Sequence, residues 1–254
     1  MSEIVLMSDP RIAAIPVEDC DEPLLDVRSD VRGNVRGGGR GRVRGGGGRG
    51  GGGRGGAGNS GPGTDGPLGA VDPRRQDDDG SFAHLREGVL TRLAHARTLL
   101  PDGVGLLFVE GYRPPSLQRA YFEGYSAQLR AARPEWTPAR IREAASRYVS
   151  PPEIAPHSAG AAVDLTLVAD GRELDMGTRV NANPEESAGA CYTDAPGLSA
   201  EARANRRTLS AALTAAGLVN YPTEWWHWSY GDRYWALATG APHARYGPRE
   251  RPGS

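Results

Sequence analysis

Apolar residues recur at helical spacing from Phe82 to Leu100, at Leu85, Val89, Leu90, Leu93, Ala96 and Leu100. This stripe predicts a helix capped by Ser81 and stopped by Pro101-Asp102-Gly103. The unbroken apolar run from Val104 to Val109 predicts a short buried strand. Pro115 to Ala132 and Thr137 to Tyr148 predict two helices, broken at Pro134. From Ala161 to Val168 the pattern alternates, with Val163, Leu165 and Leu167 on one face of a strand. Ser199 to Gly217 predicts a helix with Ser199 as cap, Leu209, Leu213 and Ala216 in its stripe and Gly217 as its end. Thr223 to Tyr230 and Tyr234 to Leu237 predict strands joined by a Gly231-Asp232 turn. Ile12 to Val17 and Leu24 to Val27 are short enough for edge strands. Helices interspersed with strands, and a late hairpin, predict an α+β fold: a central antiparallel sheet flanked by helices.

The patterning fails in one place. Residues 33–66 hold 19 glycines and six arginines, and Val35, Val43 and Ala57 are their only apolar side chains. Glycine loses the most backbone entropy on ordering, and almost nothing there offsets that loss. We therefore expect a disordered Gly/Arg-rich insertion over 33–80, between a lead-in (1–32) and a main domain (81–240), with a flexible tail (241–254). Setting 33–66 aside, about 220 residues of ordinary globular composition remain, enough for a good core.

Charge and cysteine content narrow the function classes. Six arginines against Asp65 make residues 33–66 positive, so the net charge of −1 hides a remainder near −6. An acidic body is a poor nucleic-acid binder. The Arg-Gly-Gly segment could hold RNA or another polyanion through phosphate contacts, although it lacks aromatic residues for stacking. Cys20 and Cys191 form no C-x-x-C pair. The N-terminus is acidic and carries no basic start followed by an apolar run, so no signal peptide is expected. Nothing is apolar for long enough to span a membrane, and the expected location is the cytoplasm.

Candidate chemistry sits in two short stretches. His157-Ser158-Ala159-Gly160-Ala161-Ala162-Val163-Asp164 holds an imidazole and a carboxylate, and Glu224-Trp225-Trp226-His227 holds another of each. Two histidines and an aspartate suit zinc, leaving its fourth position open. Glu224, beside a histidine, fits a general base. Arg113, followed by two prolines at the end of a buried strand, is placed to stabilise an oxyanion. The plainer readings are structural histidines, a structural ion pair at Arg113, and a supporting role for Glu110. Both His/carboxylate pairs carry a geometric requirement. On a regular strand, residues seven or three apart face opposite ways, so Gly160 must let the chain fold back and a strand end or bulge must fall near Trp225. Trp225, Trp226 and Trp228 read as core and pocket wall. His84 and His95 read as helix residues, and His243 lacks a partner at ligand spacing.

These motifs, in this order, resemble the peptidases that hydrolyse D-alanyl-D-alanine dipeptide: Glu110-Gly111-Tyr112-Arg113-Pro114, His157 to Asp164, Leu174-Asp175-Met176-Gly177-Thr178, and Glu224 to His227. The resemblance covers roughly residues 82–240 and, weakly, 23–28. It implies one zinc ion per chain on His157, Asp164 and His227, with Glu224 as base and Arg113 as transition-state stabiliser. The implied substrate is D-Ala-D-Ala or a related small dipeptide; a D,D-carboxypeptidase acting on longer cell-wall peptides is the alternative. Two positions depart from the family pattern. Ala155 stands where a serine is common, and Asn181 stands where an acid would anchor the substrate amine, so both bear on specificity.

Overall fold

The computed structural model describes residues 4–28, 70–71 and 80–251. The expected disordered insertion, and the polyanion reading with it, lies outside the described residues except at Ala70, Val71 and Gly80. In chain order the elements begin with α1 (Pro10–Ala14), β1 (Leu24–Asp26), β2 (Ala70–Val71), β3 (His84–Arg86), α2 (Glu87–Arg97) and β4 (Val104–Glu110). There follow α3 (Pro115–Ala132), α4 (Pro138–Ala145), β5 (Ala162–Ala169), β6 (Arg172–Glu173) and α5 (Ala200–Ala215). The chain closes with β7 (Val219–Asn220), β8 (His227–Ser229) and α6 (Arg233–Thr239).

The fold is α+β, with helices around a mainly antiparallel sheet ordered β2-β4-β5-β8-β7, and β6 turned back onto the end of β5. Among the described strands of this sheet, β2 and β4 are the only pair that runs parallel. The apolar face of β5, Val163, Leu165 and Leu167, packs with Leu106 and Phe108 of β4 against α2 and α5, through Val89, Leu90, Leu93, Leu209 and Leu213. All three tryptophans of the 225–228 segment are buried in this same core. A smaller core joins α3 to α4 around Tyr125, Leu129 and Ile141. No described helix is long and apolar enough to cross a membrane.

Three local expectations give way. The helix expected from Phe82 begins only at Glu87, because His84–Arg86 pairs antiparallel with Leu24–Asp26. Backbone hydrogen bonding along that short ladder outweighs the apolar periodicity of Leu85. The expected late hairpin is absent: Tyr234 to Leu237 lies in α6, whose first turn is capped by Asp232 accepting from the Tyr234 and Trp235 amides. An Asp cap offers those orphan amides a partner that a two-residue strand turn would not. Ile12 likewise lies in α1, where Asp9 accepts from the Arg11 amide. The tail beyond 240, expected to be flexible, is packed as far as it is described: Ala244 and Tyr246 are buried, and Ala244 bridges to Val17.

Candidate active site

The two geometric requirements are met by two different devices. His157–Ala159 forms a single 3-10 turn that ends at Gly160, whose φ is +65°. In that left-handed conformation a side chain is strained, and a Cβ would also run into the Leu24 side chain. The reversal brings His157 back over the start of β5, whose Asp164 pairs directly across from His227 on β8. At the other site β8 begins only at His227. Glu224 lies in the preceding turn, its carbonyl accepting from the His227 amide at 3.3 Å, so both side chains reach one side.

Three donor atoms converge there. His157 Nε2 lies 3.2 Å from His227 Nδ1 and 3.3 Å from Asp164 Oδ1. His227 Nδ1 lies 3.0 Å from the same oxygen. These separations are close to the edges of a tetrahedron drawn around an ion with bonds of about 2.0–2.1 Å, the lengths zinc makes to nitrogen and carboxylate oxygen. His157 Nδ1 must carry its proton, because its partner at 2.6 Å is the carbonyl oxygen of Gly111; that leaves Nε2 with its lone pair directed at the cluster. Burial pushes the His227 pKa down, against the pull of Asp164, and so favours the neutral, ligating imidazole. Burial alone would raise Asp164, but in their protonated forms His157 and His227 outweigh it and hold the carboxyl well below its ordinary range, so the carboxylate is already charged when the imidazoles are neutral. His227 Nε2, the ring nitrogen facing away, is buried with no hydrogen-bond partner among the described residues. The donor set therefore fits a single divalent ion of zinc's kind.

Two further charges face this cluster. Glu224 is buried, and its pKa is raised, first by burial and then by the Asp164 charge, with Arg113 opposing. Its Oε2 lies 3.8 Å from His227 Nδ1. Arg113 leaves β4 through the Glu110-Gly111-Tyr112 turn. Gly111 is required there by close approach, since a Cβ would strike the His84 backbone carbonyl. The Tyr112 amide donates to that carbonyl at 2.7 Å, and the Arg113 amide donates to the His157 carbonyl at 3.1 Å. The guanidinium is gripped on two sides: Nε donates to Glu110 Oε1 at 2.5 Å and Nη1 to Gln118 Oε1 at 2.9 Å. Burial alone would lower the Arg113 pKa, but Glu110 raises it, so the cation persists.

His157, Asp164, His227, Glu224, Arg113 and Glu110 line a cleft of about 440 Å3. Its far wall holds Tyr121, Tyr125 and Gln128 from α3, then Tyr148, Asn181 and Asn183. Asn181 sits on this wall at a positive φ of 62°, whereas Ala155 is buried. Sequence reasoning missed Gln118, the second grip on Arg113, although its place in the first turn of the helix after the prolines was a usable signal. It also missed Asn183 and the tyrosines, which no spacing ties to the metal motifs. His84 is half-buried against the Gly80 carbonyl, His95 is exposed, and His243 pairs with Glu18 at 3.5 Å; all three stand apart from the cluster.

Comparison with known proteins agrees with this geometry. The profile of the family described as D-ala-D-ala dipeptidase matches residues 79–243. A D-alanyl-D-alanine dipeptidase of Synechocystis is 30% identical over 60% of this chain and 71% of its own length. Its namesake from Enterococcus faecium is 32% identical over 52% of this chain and 64% of its own, and that from Escherichia coli 30% over 56% and 64%. Among solved structures, VanYB in complex with D-Alanine-D-Alanine overlays with a TM-score of 0.38 at 21% identity, over 65% of this chain and 82% of that one; an overlay this loose carries no weight on substrate. The family profile spans well over half the chain, both motif segments included, and the chain belongs to the D-ala-D-ala dipeptidase family.

Proposed function

We propose that this protein hydrolyses the peptide bond of D-Ala-D-Ala or a related small dipeptide, with zinc held by His157, Asp164 and His227. The observation that carries the reading is the convergence of two imidazole nitrogens and a carboxylate oxygen at 3.0–3.3 Å, with a buried carboxylate and a buried guanidinium on the same cleft. When bound, the ion would polarise the scissile carbonyl and make water a better nucleophile at neutral pH. Glu224 takes the proton of the attacking water and passes it to the leaving amine. Its raised pKa suits both halves of that transfer. Arg113 faces the oxygen that gains charge; Glu110 and Gln118 hold its fork in place, so little reorganisation is needed as the charge develops.

The names of the curated relatives support the choice of dipeptide. The cytoplasmic location expected from the sequence belongs to the same reading, and cell fractionation checks it. The direct test assays purified protein on D-Ala-D-Ala, L-Ala-L-Ala and N-acetyl-D-Ala-D-Ala. Turnover of the free D,D-dipeptide is expected. Turnover of the acetylated compound alone would assign a carboxypeptidase instead, and turnover of none would end the peptidase reading.

A further inference from the structure

The chain from Leu174 to Ser199 connects β6 to α5 with no helix or strand. A connection this long without regular structure is uncommon in a compact domain, and this one places Asn181 and Asn183 on the wall of the cleft. Its backbone carbonyls need partners, and one side chain supplies several. Arg206, on α5, is almost fully buried. Its Nε donates to the Met176 carbonyl at 2.8 Å and its Nη2 to that of Ala190 at 2.8 Å. Nη1 donates to Tyr192 at 2.6 Å and to Thr193 at 3.3 Å. The guanidinium also lies over the Trp225 ring, 5.5 Å from its centroid.

Trp225 is itself tied to the same loop. Its amide donates to the Cys191 carbonyl at 3.0 Å, and its indole N–H to Thr178 Oγ1 at 2.8 Å. Trp225 directly follows Glu224. Among the described residues Arg206 makes no ion pair with a carboxylate. Burial draws its pKa down to about 10, with Cys191, Asp175 and Asp194 opposing, so the cation persists at neutral pH. A buried cation without a carboxylate is costly unless its hydrogen bonds are well made. Here they are made to both ends of one loop.

We infer that Arg206 is a positioning residue for the proposed hydrolysis: its guanidinium fixes the loop that forms the Asn181 and Asn183 wall against the Trp225 segment that carries Glu224. The inference rests on the peptidase reading above. Lysine cannot replace it, because a single ammonium cannot span carbonyls at both ends of the loop. Loss of the clamp loosens the substrate wall more than the metal, whose ligands lie on β5, β8 and the His157 turn. Glu224 keeps ties of its own, its amide donating to the Tyr221 carbonyl at 2.9 Å and its carbonyl accepting from Asn220 Nδ2 at 3.0 Å, so the effect falls mainly on KM.

The test compares wild-type protein with Arg206→Lys and Arg206→Ala, each checked for fold by circular dichroism and for metal content. With D-Ala-D-Ala as substrate, both variants should keep one metal per chain and raise KM about tenfold, with kcat changed less than about threefold. Millimolar guanidinium, but not ammonium, should restore part of the KM in Arg206→Ala. A residue that merely supports folding would lower the active fraction, which moves kcat and leaves KM alone. Wild-type KM in a folded, metal-loaded variant overturns the inference. So does a loss confined to kcat, or the failure of both variants to fold. If wild-type protein itself shows no turnover, it is the peptidase reading that fails, and the inference falls with it.

Discussion

At the scale of single residues, neighbouring charges have separable jobs. Glu224→Gln should retain the metal and lose turnover by about 10²–10⁴-fold, because the amide cannot accept the proton. Metal analysis beside steady-state kinetics checks this; activity within a few-fold of wild type would remove Glu224 as the base. Arg113→Lys should lower kcat about 10²-fold or more, since an ammonium cannot hold Glu110 and Gln118 and still face the developing charge. An unchanged kcat would make Arg113 structural. The residue types were legible in the sequence because imidazoles are scarce in this chain and two of the five fall beside carboxylates. The ligating atoms were not. That His227 presents Nδ1 while His157 presents Nε2 follows from ring orientation, which depends on the Gly111 carbonyl and the start of β8. Gln118 was missed for the same reason: a helix residue acquires meaning only once Arg113 turns back onto it.

At the scale of elements, the site depends on breaks in regularity more than on the elements themselves. Strand β5 and helices α2 and α5 could be read from periodicity, and β4 from its unbroken apolar run, because each packs its apolar residues into the main core. Elements decided by a cap or a few ladder bonds could not, which is why β3 replaced a helical turn and α6 replaced a strand. The required reversal near Gly160 was legible from the parity of His157 and Asp164, and it gives a prediction. Gly160→Ala places a Cβ at a φ of +65° and against Leu24, so it should destabilise the protein by more than about 1 kcal/mol. It should also weaken metal retention, since the displaced turn carries His157. Equilibrium denaturation and metal analysis read the two effects; a variant of unchanged stability and metal content would mean that the turn does not constrain His157.

At the scale of the whole molecule, the two ends of the described chain meet behind the metal-bearing turn. Arg86 is fully buried and donates to the Ala159 carbonyl at 2.8 Å and to Asp19 Oδ2 at 2.9 Å. The Gly247 amide donates to the same Asp19 oxygen at 3.0 Å, and the Arg249 amide to the Ser158 carbonyl at 3.0 Å. This closure was not legible, because a Pro- and Gly-rich tail gives no periodic signal. Burial alone would raise the Asp19 pKa, but the Gly247 and Asp21 amides and Arg86 hold it below its ordinary value. A carboxyl with a depressed folded-state pKa stabilises the fold above the unfolded value and loses that contribution as pH falls through the folded one. The stability gap between wild type and Asp19→Asn should therefore be full at neutral pH and shrink below about pH 4; a gap independent of pH would contradict this role of Asp19 in the closure. The central claim is that His157, Asp164 and His227 hold one catalytic ion. Its most direct test strips the protein with a chelator and titrates zinc back while following D-Ala-D-Ala hydrolysis. The account predicts no turnover in the stripped protein and a linear recovery that ends at one zinc per chain. Full turnover without metal, or recovery that is undiminished in His227→Ala, would contradict it.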